Sequence, residues 1–449
     1  MELKKHKGAD LSQGVPWKSL LAFTTPILLG NIFQQMYNLV DTIVVGQCIG
    51  ASALAAVGAS AAIVFILICV STGLSMGCSI LISQNYGAKD YKTMRQLAFN
   101  TLFLVMGIGI ILSLLGSFFS KEILILSQIP EDILADGVAY LKIYCLGGIF
   151  MFAYNTIAAI CRGIGDSKTP LYYLIITTVL NIILDLYFVV NLDMGVSGVA
   201  WATLISQGIS VVGCGVHVYW KIPILRFKSE DRVISAKQIW ELLQVAVPST
   251  IQQSILSISL AMVQGLVNTF GTEIIAGYTA ACKVDNFVVM PLASFNIGIS
   301  TYTAQNVGAG RIDRVQKGYR AAMVMVVGLA LFSTLFIWMF DTHLLGMFLD
   351  VDSNYLAMNS GRHYIHIVAG SYILIAMMFV PGSILRGGGQ VNLFLIASII
   401  NLGSRVMSAY WLASILGFDG ISWSIPVGWF IGWAFNEIFY RLTLGKKLK

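Results

Sequence analysis

Charge is what this sequence has least of. Asp, Glu, Lys and Arg make up 11% of its 449 residues, against 57% hydrophobic ones, and mean hydropathy is +0.79. About a quarter of a soluble domain is charged, so a chain this poor in charge cannot cover its apolar surface for water. It is an integral membrane protein. Other absences narrow the class. No GxxxxGK[ST] string or other phosphate loop occurs, which argues against ATP-driven transport within this chain. The seven cysteines (Cys48, Cys69, Cys78, Cys145, Cys161, Cys214, Cys282) share neither metal-ligand spacing nor a paired framework, and they read as small hydrophobes in helix packing. His217, His343, His363 and His366 have no metal spacing, and no nucleophile–base pair is present, so neither an enzyme nor a cofactor is expected. The net charge is +6, but the cations lie in loops between apolar runs, where they act as topology signals and form no nucleic-acid surface. Residues 1–17 are polar and basic, and the apolar run after them lacks a cleavage site. The expectation is a retained first helix and no signal peptide.

What the chain does contain is a repeat. Gln84-Asn85-Tyr86-Gly87-Ala88 returns as Gln305-Asn306-Val307-Gly308-Ala309, 221 positions later. Arg162-Gly163-Ile164-Gly165-Asp166 has its counterpart in Arg386-Gly387-Gly388-Gly389-Gln390. Gly195-x-x-Gly198-x-x-Trp201 pairs with Gly417-x-x-Gly420-x-x-Trp423, and Pro26 with Pro248. Apolar runs of about 20 residues or more, the length that crosses a bilayer, fall at 20–45, 52–83, 96–119, 133–160, 169–190 and 196–220. A second set falls at 239–268, 273–304, 315–340, 355–385, 392–415 and 421–442. The expected fold is therefore all-α, with twelve transmembrane helices in two pseudo-symmetric six-helix lobes. An even count per lobe makes the repeats parallel, about an axis along the membrane normal, where a duplicated transporter places its pathway. The expected organisation is a cytoplasmic segment 1–16, an N-lobe 17–222, a linker 223–238, a C-lobe 239–442 and a tail 443–449. The charged stretch 221–238 ties the lobes together, with an amphipathic portion on the membrane surface.

Lys and Arg alternate sides, as positive-inside topology requires. One side collects Lys4, Lys5, Lys7, Lys89, Lys92, Arg95, Arg162, Lys168, Arg226, Lys228, Arg232, Lys237, Arg311, Arg314, Lys317, Arg386, Lys446, Lys447 and Lys449. The opposite loops hold acids, among them Glu122, Glu131, Asp132, Asp193, Glu273, Asp341, Asp350, Asp352 and Asp419. Both termini are expected in the cytoplasm.

An ionisable side chain inside the hydrocarbon costs at least ~2.5–3.5 kcal/mol and marks a functional candidate. The first span carries Asp41 at the end of a stripe with Gln34, Tyr37 and Asn38, and the fifth carries Asp185, with Asn181 four residues earlier on the same face. Thr203 in the sixth span lies at a similar depth. Two carboxylates with amide and hydroxyl neighbours cannot both stay ionised in a low dielectric without a counter-cation. They suit a proton or a small hard cation bound through oxygens. The alternative is a polar cluster that only fixes packing. Pro26 removes a backbone hydrogen bond in the middle of the first span and permits a bend there, whether as a hinge or as a static kink. In the second half, position 41 maps to Met262 or Val263, and Asp185 maps to Arg405. Lys283 and Asp285 sit near mid-membrane. Asp285 forms a buried ion pair with Lys283 or Arg405, or these three line the cleft and meet substrate.

Together these features resemble the multidrug and toxic compound extrusion (MATE) family. The likeness rests on the Pro-containing first helix with Tyr37 and Asp41, the QNxGA pair, the RGxGD string, and Asn181-x-x-x-Asp185 followed by Thr203. It covers residues from about 17 to 442. The resemblance implies two six-helix lobes in a V with a central cleft, working by alternating access. It implies efflux of small organic drugs or metabolites, often cationic and amphipathic, in exchange for H⁺ or Na⁺. Asp41, Asn181, Asp185, Thr203 and Tyr37 look like the cation site of the prokaryotic DNA-damage-inducible branch, a Na⁺ ion being held by Asp41, Asn181, Asp185 and Thr203 where sodium is the coupling ion. Gln34, Asn38, Asn155, Lys283, Asp285 and Arg405 are then candidates for the substrate cleft. The sodium-linked branch adds an acid on the seventh span, and residues 252–268 hold none here. The resemblance further implies a monomer, multi-pass in a bacterial or archaeal plasma membrane, with small molecules and the lipid bilayer as partners and no nucleic acid. A lipid-linked oligosaccharide flippase of the same superfamily is the alternative; such proteins usually carry more helices and a cation-rich cavity. A major-facilitator protein, a channel and a membrane enzyme fit the residues less well.

Overall fold

The computed structural model describes residues 10–349 and 355–445. The topology signals Lys4, Lys5, Lys7, Asp350, Asp352, Lys446, Lys447 and Lys449 lie outside the described residues, as does most of the segment 1–16 and the end of the tail 443–449.

Among the described residues the chain is all helical. In order come α1 (Pro16–Val44), α2 (Ala51–Gly87), α3 (Tyr91–Phe118), α4 (Ser120–Leu126), α5 (Glu131–Gly163), α6 (Lys168–Leu186) and α7 (Gly195–Lys221). Then follow α8 (Ala236–Val267), α9 (Thr272–Gly308), α10 (Ile312–Gly346), α11 (Tyr355–Gly370), α12 (Tyr372–Gly387), α13 (Val391–Leu416) and α14 (Phe418–Leu442). Only helices and closed barrels satisfy every backbone group within lipid. Nine of these helices are long and apolar enough to cross a membrane, and the α11–α12 pair makes a tenth if it counts as one span. α1 and α14 coincide with the first and last expected spans but stay outside that set. α1 carries Asn31, Gln34, Gln35, Asn38 and Asp41, and α14 is diluted by glycine, serine and three tryptophans.

The expected single span 355–385 is instead two helices meeting at 46°. The break falls at Gly370–Ser371, and α10 supplies partners for carbonyls near it. The Thr334 hydroxyl donates to the Ala369 carbonyl at 2.6 Å, and Trp338 Nε1 donates to that of His366 at 3.5 Å. A break inside a membrane helix survives when neighbouring side chains take up the freed carbonyls.

The duplicated strings are turn chemistry. Gly165 and Gly389 share a left-handed backbone (φ +84° and +82°), as do Gly195 and Gly417 (+57° and +62°), Lys89 and Gly310 (+59° and +68°), and Gly50 and Gly271 (+126° and +95°). Asp166 closes its string by accepting from the backbone N–H of Lys168 and Thr169 at 3.1 and 3.0 Å, which caps the start of α6. Asp90 caps α3 through the Thr93 N–H at 3.0 Å. The two halves therefore repeat each other in backbone as well as in sequence.

The chain divides into two compact units, and their borders differ from the expected lobes. The described part of the N-terminal unit comprises Asp10 and Thr25–Thr250; the C-terminal unit comprises Leu11–Thr24 and the described residues from Ile251 onward. Hydrogen bonds explain both departures. The segment before α1 belongs to the C-terminal unit because the second QNxGA string holds it: Gln305 Oε1 accepts from the Leu11 N–H at 3.1 Å, and Asn306 Nδ2 donates to the Leu11 carbonyl at 3.1 Å. Arg314 adds bonds to the carbonyls of Gly14, Leu11 and Gln13. The linker belongs to the N-terminal unit because α3 holds it. Asn100 bonds the Val233 carbonyl and the Ser235 N–H, both at 3.1 Å, and Arg95 Nε meets Asp231 Oδ2 at 2.5 Å. Burial alone would push the Asp231 carboxyl up, but Arg95 and the Lys228 backbone N–H outweigh it and hold the group below the usual carboxylate range. The apolar residues of this stretch divide: Val233 and Ile234 are exposed. Ile222 and Leu225 pack into the core of the N-terminal unit.

Within each unit, glycines bring helices close, as they do where lipid gives no hydrophobic drive to pack. In the N-terminal unit a Cβ on Gly77 of α2 would lie 2.5 Å from the Ala246 Cα of α8, and one on Gly109 of α3 would lie 2.6 Å from the Phe152 ring of α5. In the C-terminal unit Gly277 of α9 lies against the Ala357 carbonyl of α11.

Candidate functional site

The N-terminal unit gathers five of its polar candidates in one place. Asp41 arrives from the last turn of α1, just before a π-helical turn (Val45–Ile49), and Asp185 from the last turn of α6, just before another (Tyr187–Asn191). With the Asn181 amide turned so that its nitrogen faces the carboxylates, that nitrogen donates to Asp41 Oδ1 at 2.9 Å and to Asp185 Oδ2 at 3.2 Å. Asn181 and Asp185 are fully enclosed, while Asp41 is half-buried. The second oxygen of Asp185, Oδ1, is enclosed without a partner. An enclosed acceptor with nothing donating to it is costly, and a proton or cation on that oxygen removes the cost. Beside this group the Tyr37 hydroxyl and Thr203 Oγ1 lie 2.9 Å apart, joining α1 to α7. An apolar layer of Val44, Val45, Val189, Val196 and Val199 packs with Tyr140 in the same cluster.

The i+4 spacing places Asn181 and Asp185 one above the other. The four-residue stripe on α1 does not stay whole. Tyr37, Asp41, Gln34 and Asn38 span an arc of about 100° at 100° per residue. Tyr37 and Asp41 take the edge that packs inward, while Gln34 and Asn38 take the other and remain exposed. Asn38 bonds its neighbour Gln35 at 3.4 Å. Asn155 on α5 donates to Ser71 Oγ of α2 at 2.9 Å and makes no bond to either acid. Pro26 is buried inside an α1 that stays helical from Pro16 to Val44, two residues past the point where the chain passes from one unit to the other. Tyr140 and Tyr144 of α5 stack at 5.7 Å and pack with the same cluster. Sequence reading missed them, although two tyrosines four apart in one span are a legible signal of a shared face.

The C-terminal unit places its ionisable groups differently. The ion pair expected of Asp285 does not form: no cation lies within 4 Å of it among the described residues, and the Tyr372 hydroxyl donates to its Oδ1 at 2.6 Å. Lys283 cannot reach it because residues two apart point to opposite sides of a helix. Lys283 is exposed, with its Nζ over the Phe348 ring at 5.3 Å. Arg405 is buried on α13. Arg386 is not the loop cation its place in the topology suggested; it is buried and bonds Asn296 Oδ1 at 2.8 Å and Ser300 Oγ at 3.2 Å. Among the described residues no group of three or more His, Cys, Asp or Glu could hold a metal ion.

Comparison with known proteins gives the family and the fold. The MatE family model matches residues 26–187 and 245–411. The chain is 28% identical over 448 residues to the "Probable multidrug resistance protein YpnP" of Bacillus subtilis (strain 168), covering 99% of each. It is 30% identical over 417 residues to the "Probable multidrug resistance protein YoeA" of the same organism, covering 89% of each. A solved structure described as "Crystal structure of MATE in complex with MaL6" superposes with a TM-score of 0.93 at 22% identity, over 98% of this chain and 99% of the other.

Proposed function

Because this chain belongs to the MatE family, we propose that it is a secondary-active exporter of small organic drugs or metabolites, often cationic and amphipathic, exchanging them for H⁺ or Na⁺ by alternating access. The observation that carries this is the Asn181 amide suspended between the carboxylates of Asp41 and Asp185, with an enclosed Asp185 oxygen left without a partner. Asp41, Asn181, Asp185 and Thr203, with Tyr37, form the coupling site. An amide that turns its nitrogen to empty carboxylates can turn its oxygen to a sodium ion, and a proton shared between the two acids meets the same need. Occupancy of this site, whose Asp41 lies about four turns beyond Pro26, changes the bend of α1, and that change releases substrate outward. A charge crossing ~100 mV supplies about 2.3 kcal/mol, enough to drive accumulation against a gradient. In this reading the long helices, with α1, α14 and the bent α11–α12 pair included, make twelve spans in the plasma membrane of a monomer, with both termini in the cytoplasm.

The test is efflux of an ethidium-type dye from proteoliposomes under separately imposed pH and sodium gradients. Wild type should respond to at least one gradient. Asp41→Asn and Asp185→Asn should respond to neither while running as folded monomers on size exclusion. Wild-type rates in both variants would overturn the coupling role.

A further inference from the structure

Arg405 is the buried arginine that nothing holds. The other two arginines with under a tenth of their surface accessible are fully engaged: Arg314 bonds backbone carbonyls and Asn306, and Arg386 bonds Asn296 and Ser300. Arg405 has 8% of its surface accessible, yet no hydrogen bond or ion pair reaches its guanidinium among the described residues, and its Nε is fully enclosed without an acceptor. Its charge reaches Asp285, but the Tyr372 hydroxyl occupies that carboxylate, and no ion pair within 4 Å forms. An uncompensated buried guanidinium is among the most costly features a core can carry.

The surroundings of Arg405 are built and not incidental. Gly428 and Gly432 on α14 let that helix approach α13 at Arg405 and Asn401. A Cβ on Gly428 would lie 2.8 Å from the Arg405 Cβ and 3.1 Å from Asn401 Oδ1, and one on Gly432 would lie 2.9 Å from the Asn401 side chain. Asn401 Oδ1, one turn from Arg405 on α13, is likewise enclosed without a partner. The NH₂ of that amide meets only the Met378 thioether, at 3.2 Å, and the group can rotate to present it. The helix pair therefore offers one fixed positive charge beside a neutral amide, with no acid within 4 Å among the described residues. Such a set fits an oxyanion, and a planar guanidinium fits a carboxylate best.

We propose that the interior of the C-terminal unit binds the carboxylate of an anionic or zwitterionic organic substrate, with Arg405 as its charged partner. This rests on the export reading above and narrows its substrate class. The Tyr372–Asp285 bond keeps the protein's own carboxylate from filling the place, so an incoming one finds Arg405 free.

The full chain in lipid nanodiscs tests this with benzoate and benzamide, which share shape and differ in charge, at constant ionic strength. Thermal protection and quenching of tryptophan fluorescence are the readouts; Trp429 lies 6.3 Å from the Tyr372 ring. Benzoate should act on the wild type at a concentration about tenfold or more below benzamide, as a charged hydrogen-bonded partner requires. The advantage should vanish in Arg405→Gln, persist in part in Arg405→Lys, and hold or grow in Asp285→Asn. Equal action of the two probes on the wild type would overturn the proposal, as would a benzoate advantage that survives Arg405→Gln. If the glutamine variant does not fold, the wild-type comparison and the lysine variant still decide. Asp41→Asn separates the two readings: it should lose coupled efflux and keep the benzoate advantage. Should dye efflux prove uncoupled in the wild type while benzoate discrimination remains, the exchange mechanism fails and the carboxylate site stands.

Discussion

The two halves of this molecule share their turns and differ in their interiors. Gly165 and Gly389, or Gly195 and Gly417, hold nearly the same φ, yet the helices that follow the first pair carry opposite charges. Asn181-x-x-x-Asp185 on α6 faces a second acid and is knit to it through an amide. Asn401-x-x-x-Arg405 on α13 faces no partner for its charge or for its amide oxygen. A turn is determined by local geometry that any divergence must preserve, whereas a buried side chain can be exchanged so long as something compensates it. Duplication thus kept the frame and left the two interiors free to take on different ligands: by our proposals, a small cation in one and an organic anion in the other.

Making the N-terminal site resemble its counterpart should have the largest effect. Asp41→Val, which copies Val263, should drop gradient-driven efflux to the level of empty liposomes; retention of even a third of the wild-type rate would mean that Asp185 suffices alone.

The buried arginines come next. Arg314→Met should cost about 3–5 kcal/mol because it strands several bonded groups, while Arg405→Met should raise stability by about 1 kcal/mol or more without ligand, because it removes an uncompensated buried charge. Melting temperatures of the two variants in the same detergent check the contrast, and equal losses would show Arg405 to be bonded after all.

Asp231→Asn should cost about 3 kcal/mol by leaving Arg95 unpaired, seen as faster hydrogen exchange through 223–235 with little change in α13. The pH sign follows from the lowered Asp231 group. Its contribution is complete above the ordinary Asp value of about 3.9 and fades as pH falls through the lower folded value. Protection of the linker should therefore persist at pH 5 and be lost only in stronger acid.

Tyr37→Phe, which removes the 2.9 Å bond to Thr203, should weaken half-saturation by the coupling ion about fivefold, the equivalent of roughly 1 kcal/mol. Gln34→Ala and Asn38→Ala, both on the exposed edge of α1, should leave that half-saturation within about twofold.

Some of the site was plain in the residues and some was not. Asn181 with Asp185 could be read because i+4 spacing forces two side chains onto one face. Tyr37 with Thr203 could be placed by depth, but only the packing of α1 against α7 could show that they touch. The stripe on α1 was over-read: helical periodicity defines an arc and does not say which edge of it will be covered. The sequence left Asp285 open between an ion pair and a place in the cleft for a related reason. Compensating charges in a sequence say nothing about a neutral hydroxyl such as Tyr372, from another helix, that arrives first.

By itself the sequence determined the membrane class, the positions of most long helices, the duplication and the turns that repeat it. Each of these depends on composition or on residues close along the chain, and lipid enforces them by penalising any unsatisfied backbone group. Tertiary structure alone decided that the segment before α1 joins the C-terminal unit while the linker joins the N-terminal one, that span 355–385 breaks at Gly370–Ser371, and that Arg405 is buried unpartnered. These outcomes turn on hydrogen bonds between residues far apart in sequence, or on their absence, and such partners meet only once helices pack.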